Sequence, residues 1–245
     1  MRALTVTDWL EVWERGEAQP PPRRALMLLA AACDDTPPER LVKWSIGQRD
    51  AALLRVRESL FGGKVVSRAV CPQCGGQVEF SLVSSELLRI PRAAPIKQNL
   101  VIKHGPWRAK FRLLNSLDFE ALDTAATPED NGRALLARCL VDLRHDGSPA
   151  SVDQLPPELE TKIAARMREA DPQAELSLDL VCGACGHCWK TILDPISYFW
   201  SELHAWAVRL LRDVHALASA YGWTEADILA LSARRRQFYL RLLYE

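Results

Sequence analysis

The chain has 245 residues, 48% of them apolar and 25% charged, and its 31 basic and 31 acidic side chains cancel. This is the composition of a folded globular protein and excludes disorder throughout; at roughly 150 residues per domain the length allows one or two domains, without need of disulfide staples. The balanced charge removes the broad positive field of a general nucleic-acid or anionic-membrane binder.

Residues 1 to 62 read as helices. Thr7 is placed to cap a short helix carrying Trp9, Leu10, Val12 and Trp13 on one side and ending at Gly16, after which Pro20, Pro21 and Pro22 predict an extended link. A second helix is expected from Arg23 to about Cys33; its uncharged run from Ala25 is nine residues, about half a bilayer crossing, and no cleavable leader precedes it, so a cytoplasmic protein is expected. After Pro37-Pro38 and a turn at Leu41 to Trp44, Gly47 to Phe61 gathers Leu53, Leu54, Val56, Leu60 and Phe61 on one side and sends Arg55 and Glu58 away. Arg49, Asp50 and Arg57 fall nearer the apolar side, and Gly62-Gly63 stops the helix.

From Val65 the apolar period changes from 3.6 to 2. Val65 to Val70 runs into Cys71, and Gln77 to Leu82 alternates beyond it; Glu175 to Val181 likewise runs into Cys182, and Trp189 to Leu193 leaves after Cys188. The pattern predicts two hairpins of one type, far apart in sequence. Between them, Ile96 to Leu114 reads as a strand pair around His104-Gly105, and Ser116 to Ala126, Pro128 to Leu143 and Pro156 to Ala170 read as helices. Asp194-Pro195 starts a long helix whose apolar stripe runs from Ile196 to Tyr221 and which Gly222 ends; Thr224 caps the next, with Trp223 and Ile228 as a hydrophobic staple, and Ser232 opens the last. These three helices are expected to fold back on one another.

Five of the seven cysteines fall in two tight clusters, while Cys33 and Cys139 stand alone in helical contexts. That is metal spacing rather than a disulfide framework. Cys71-Pro72-Gln73-Cys74-Gly75 and Cys182-Gly183-Ala184-Cys185-Gly186 are C-x-x-C-G turns, in which the glycine permits the positive φ that swings the chain back. Four thiolates at about 2.3 Å in a tetrahedron leave no open position, so structural Zn2+ is the expected ion, on Cys71, Cys74, Cys182 and Cys185. The 107 residues between Cys74 and Cys182 require a subdomain inserted between the halves of the site. His187 and Cys188 stand close enough to compete as ligands; unmetallated thiols, an iron-sulfur cluster or a redox pair are the other readings.

No metalloprotease, phosphate-loop or nucleophile-elbow motif occurs, and no acid-base pair can be nominated, so the chain reads as a non-enzyme without a small-molecule substrate. His104, His145, His204 and His215 read as solvated or packed side chains. Arg234-Arg235-Arg236 is the one dense basic cluster: it can meet phosphate or an acidic partner, though a solvated face is the plainer reading. Eight tryptophans are enough for some to serve a protein contact surface, and Trp223, Arg235, Arg236 and Tyr239 are the candidate partner-binding residues.

The runs Phe199 to Leu203, Val214 to Leu231 and Arg235 to Leu240 resemble the C-terminal signature of small baseplate-associated proteins encoded with contractile phage tails and phage-tail-like injection systems, similar to the T-even phage baseplate hub assembly family. Gly47 to Leu54 and Arg57 to Gly62, ahead of Cys71, are similar to the zinc-ribbon members of that group. The resemblance is strongest over 196 to 240, good at 47 to 62 and around both cysteine turns, and weak between 84 and 170; Cys188 and Ser232-Ala233 depart from its pattern. It implies a structural or assembly role at a baseplate, contacts with other baseplate or tail proteins, incorporation into an assembled particle, and zinc holding the fold. The expected architecture is α+β: helical 1–64, zinc-ribbon halves at 65–83 and 174–194, a mostly helical insertion at 84–173, and helical 195–245. A zinc-ribbon regulator binding nucleic acid through Arg234 to Arg236 is the rival, disfavoured by the neutral charge.

Overall fold

The computed structural model describes residues 4–89, 99–120, 122 and 125–243. Helix α1 (Val6–Gly16) is capped by Thr5, not Thr7: the Thr5 hydroxyl accepts from the Asp8 amide at 3.2 Å while the Asp8 carboxylate accepts from the Thr5 amide at 2.8 Å, a reciprocal box that the Thr-x-x-Asp spacing supplies. Helix α2 (Pro21–Ala32) begins two residues earlier than expected. Only Pro20 is extended there; Pro21 and Pro22 occupy the first turn, where a missing amide hydrogen costs nothing. After α3 (Pro38–Leu41), α4 (Ile46–Phe61) opens on a Ser45/Gln48 capping box and stops at Gly62, whose φ is +82°.

Strands β1 (Lys64–Val70) and β2 (Gln77–Val83) form the first hairpin, followed by one turn of helix, α5 (Ser84–Leu87). The strand pair predicted from Ile96 is β3 (Leu100–His104) and β4 (Trp107–Phe111); residues 96–98 lie outside the described ones. Of the helix predicted over Ser116 to Ala126, α6 (Ser116–Glu120) is present, Ala121, Asp123 and Thr124 lie outside the described residues, and Ala125 is in a turn. Helix α7 is Pro128–Cys139, and there the sequence reading fails: Leu140 to Leu143 is strand, part of β5 (Leu140–His145), with β6 (Ser148–Pro149) completing a four-stranded antiparallel sheet in the order β3-β4-β5-β6. The cause is a bulge. Phe111 pairs with Leu140 but Lys110 pairs with Asp142, so Val141 is an extra residue and Leu140 and Leu143 both turn inward three positions apart, a spacing that imitates a helix. Helix α8 (Pro157–Ala170) covers the inner face of this sheet, burying Leu159 and Ile163 against Leu100, Ala109, Phe111 and Leu143.

The second hairpin is β7 (Leu176–Val181) with β8 (Cys188–Leu193). Helix α9 (Pro195–Tyr221) follows, started by the Asp194 side chain and ended by Gly222 in the left-handed conformation; Thr224 and Ser232 cap α10 (Glu225–Ala230) and α11 (Ala233–Leu242), which fold back so that Val214, Leu217, Ile228 and Leu240 share a core. No described helix is long and apolar enough to cross a membrane.

The main core joins α1, α2, α4 and the first turns of α9 through Trp9, Leu28, Leu29, Leu53, Val56, Phe199 and Leu203. Gly16 lets α1 approach α9 closely, because a Cβ there would stand 2.3 Å from the Trp200 ring. The three charges that fell toward the apolar side of α4 are buried and paired. Arg49 donates to Asp50 at 2.7 Å, while Arg57 grips both Glu202 carboxylate oxygens at 2.8 Å and donates to the Gly62 and Lys64 carbonyls at 2.6 Å each. The Tyr198 hydroxyl closes the free edge of β1, accepting from the Val66 amide at 3.0 Å and donating to its carbonyl at 2.8 Å. The inserted segment completes the N-terminus of α4: Ile46 donates to the Leu114 carbonyl at 3.0 Å and Gly47 to the Asp171 carboxylate at 2.9 Å.

Candidate metal centre

Each hairpin ends in the same turn. The Cys71 amide donates to the Gly76 carbonyl and the Cys182 amide to the His187 carbonyl, both at 2.9 Å; Gly75 and Gly186 donate back to the Cys71 and Cys182 carbonyls, also at 2.9 Å. Gly75 at φ +71° and Gly186 at +74° make the left-handed step that a C-x-x-C-G turn needs. The inner faces of the hairpins meet at their bases, where Val65 and Leu82 pack with Leu176, Leu178 and Leu193 over Leu54 and Leu87. Their tips therefore converge.

The structure brings Cys71, Cys74, Cys182 and Cys185 together, with all four sulfurs within 4.8 Å of one another. Cys71 Sγ is 3.7 Å from Cys185 Sγ and Cys74 Sγ 3.6 Å from Cys182 Sγ, separations far beyond a disulfide bond. Sulfurs at 2.3 Å from a central ion stand about 3.8 Å apart along the edges of a tetrahedron, and these two separations are close to that edge. The first cysteine of each pair is buried and the second exposed. The amides of Cys185 and Ala184 aim at Cys182 Sγ and lower that thiol, whereas the His187 amide pulls on Cys185 while the sulfurs of Cys74, Cys182 and Cys71 push it up. The donor set fits a metal ion that prefers sulfur.

Cys188 and His187 are not among the gathered ligands. Cys188 opens β8 as Gln77 opens β2, and its exposed thiol points at the Gly186 carbonyl, 3.7 Å away. Cys33 and Cys139 are buried elsewhere, and burial pushes the Cys139 thiol up to about 12. Gly76 escaped the sequence reading: a Cβ there would lie 3.3 Å from Cys74 Sγ, and the doubled glycine after Cys74 was the signal.

The candidate partner-binding residues sit at the far end of α9. Trp223 stacks on Tyr221 at 4.8 Å and meets Tyr239 edge-on at 4.9 Å, and Arg235 is exposed. Arg236 is turned inward, donating to the Leu231 carbonyl at 2.6 Å, so the three successive arginines do not form a continuous surface. Phe238, on the last helix, is 60% exposed beside Tyr239.

Residues 23–200, nearly three quarters of the chain, match the family described as T4 bacteriophage base plate protein. The chain belongs to that family. The match takes in both cysteine turns and Gly47 to Gly62, and ends six residues into α9, so α10, α11 and most of α9 lie beyond it. As a member of the T4 base plate family it is a phage baseplate-associated protein. Comparison with curated proteins and with solved structures yields no match.

Proposed function

We propose that the ion is Zn2+, that it is structural, and that this base plate family member is a non-enzymatic structural or assembly component of a contractile phage tail or related injection device. In this reading 65–83 and 174–194 are the halves of one split zinc ribbon, 84–173 is inserted between them, and 1–64 and 195–245 are helical segments flanking it. The observation that carries the proposal is the cage of four sulfurs joining cysteine turns 107 residues apart in a chain of this family. Four thiolates fill a tetrahedral ion, which leaves no position for a substrate or a reactive water. Contacts with other baseplate or tail proteins are assigned to the end of α9 and to α10 and α11, where Trp223, Arg235 and Tyr239 present the aromatic and arginine side chains that dominate protein interfaces, with Arg236 holding the helix turn beneath them. The protein is cytoplasmic before assembly and enters the particle with its partners.

The decisive experiment is deletion of the gene, with particles counted by electron microscopy and complementation by wild type, Cys182→Ser or Trp223→Ala. Loss of complete particles, restored by wild type alone, is the expected result; complete, functional particles at normal yield without the gene end the proposal. Metal analysis of the purified chain tests the ion separately, and zinc content unchanged by serine at all four cysteines refutes the assignment.

A further inference from the structure

The four-stranded sheet has one covered face and one bare one. Leu100, Ile102, Ala109, Phe111 and Leu143 point inward to α8. On the other face no described element packs, and there the strand register sets three cations in one row: Lys103 pairs with Arg108 across β3 and β4, and Arg108 with Arg144 across β4 and β5. All three are exposed. In the next row Lys110 lies between exposed Val101 and Asp142. Asp142 is the single acid of this face, reaching Arg144 at 3.1 Å and Arg108 at 3.6 Å; among the described residues neither Lys103 nor Lys110 has an acidic group at ion-pair distance.

Like charges directly opposite on neighbouring strands, about 5 Å apart, destabilise a sheet. Four cations against one carboxylate on a face that no described element covers is therefore a cost to the isolated chain, in a protein with no net charge. We infer that this face is a docking surface for a carboxylate-rich segment of another protein, read by Lys103, Arg108, Lys110 and Arg144, with Val101 as its apolar contact. A protein occupant is favoured over nucleic acid for two reasons. The face carries no aromatic side chain on which bases could stack, since Trp107 and His145 face the other way, and Asp142 in its centre would repel phosphate while it orients both arginines. This surface is independent of the C-terminal aromatic one and does not rest on the functional reading above.

The test uses the full chain and a fluorescent polyglutamate peptide, with labelled duplex DNA alongside, titrated by anisotropy over rising salt. Wild type should bind the peptide with an affinity that falls with salt. The triple variant Lys103→Ala, Arg108→Ala, Arg144→Ala should bind about tenfold more weakly, as loss of three exposed pairs implies, while the equally discharged Arg15→Ala, Arg40→Ala, Lys43→Ala variant should match wild type. The first variant should also melt no lower than wild type, because a repulsive row has been removed. Equal losses in both variants, absence of peptide binding, or a lower melting temperature in the first overturn the inference. Tighter binding of DNA than of peptide, lost in the same variant, overturns it in favour of nucleic acid.

Discussion

In the helical body, Leu28, Leu29, Leu53, Val56, Phe199 and Leu203 bury against one another from three helices, whereas the two hairpins share a smaller buried core of Leu54, Val65, Leu87, Leu176 and Leu193, with Leu82, Leu88, Leu178 and Tyr198 partly buried around it. Each fully buried side chain of this kind contributes about 1.5 to 3 kcal/mol, so the body can hold itself together by apolar burial. A two-stranded hairpin is marginal in water, and these two leave Val70, Val181 and Ile192 more than half exposed on their outer faces. Their union is held from its ends: sulfur at the tips, and at the base the Arg57 and Tyr198 hydrogen bonds to the first hairpin. Where little apolar surface can be buried, specific bonds must do what packing does elsewhere.

Removing the proposed ion should separate the two regions most. Zinc contributes about 10 to 16 kcal/mol of folding free energy in small peptides, and closing a loop of about 100 residues removes roughly 4 to 5 kcal/mol of unfolded-chain entropy. With chelator, or in Cys182→Ser, amide exchange should rise by orders of magnitude in β1, β2, β7 and β8 while the amides around Leu53 and Leu203 stay protected. Uniform loss of protection would show that the body depends on the cage as much as the hairpins do, and the distinction drawn above would fall.

Arg57→Ala attacks the same union from its base. It leaves Glu202 with only the Tyr198 hydroxyl and the Gly62 and Lys64 carbonyls without the guanidinium donor; removing one member of a buried ion pair costs about 3 to 5 kcal/mol, and the quarter exposure of Glu202 puts the expected loss at the low end, about 3 kcal/mol. Urea unfolding should show a free energy of unfolding lowered by that amount, through a lower midpoint at unchanged slope, with zinc content unchanged. A loss under 1 kcal/mol would mean that the sulfurs alone unite the hairpins with the body.

Gly47→Ala probes the seam between the body and the insertion, and here the sign is the test. In an exposed helix the change is worth about 1 kcal/mol in favour of alanine. At this position the new Cβ would lie 1.9 Å from Asp171 Oδ1 and 3.0 Å from the Ala174 backbone nitrogen, so the carboxylate that accepts from the Gly47 amide must move. Overpacking of this kind costs about 1 to 3 kcal/mol, and the variant should be destabilised. A stabilised variant would show that Asp171 is dispensable to the helix start.

What could be read in advance follows the same division. The long helix, its Asp194 start and Gly222 stop, and both cysteine turns were legible because each is written in consecutive residues with a fixed period or spacing. The position of Arg57 near the apolar side of α4 was legible too, but its partner Glu202 lies 145 residues away, and no local pattern names such a partner. The same holds for Asp171 on Gly47 and for Tyr198 on Val66. Leu140 to Leu143 misled for a different reason, since one bulged residue converts a period of two into a spacing of three. Arg236 misled because its charge suggested the surface, while its hydrogen bond to Leu231 holds it inside.

The smallest effect concerns the charge that the body itself buries. Burial raises the Asp50 carboxyl to about 6, against the pull of Arg49 at 2.7 Å. A folded-state value above the unfolded one means that the native protein holds its proton where the unfolded chain has lost it, so the contribution of Asp50 to stability falls as pH rises from about 4 to about 6 and is constant above that. One proton limits the slope to about 1.4 kcal/mol per pH unit, so the total is at most about 3 kcal/mol. The thiols titrate in wild type and in Asp50→Asn alike, and Asp171 and Asp194 enter only through their coupling to Asp50, which is part of its shift. The difference in unfolding free energy between the two proteins therefore isolates Asp50: it should move in favour of the asparagine variant across that window. A flat difference would place Asp50 in contact with water, and the seam beside α4 would then be wetter than the packing around Leu53 and Leu54 requires.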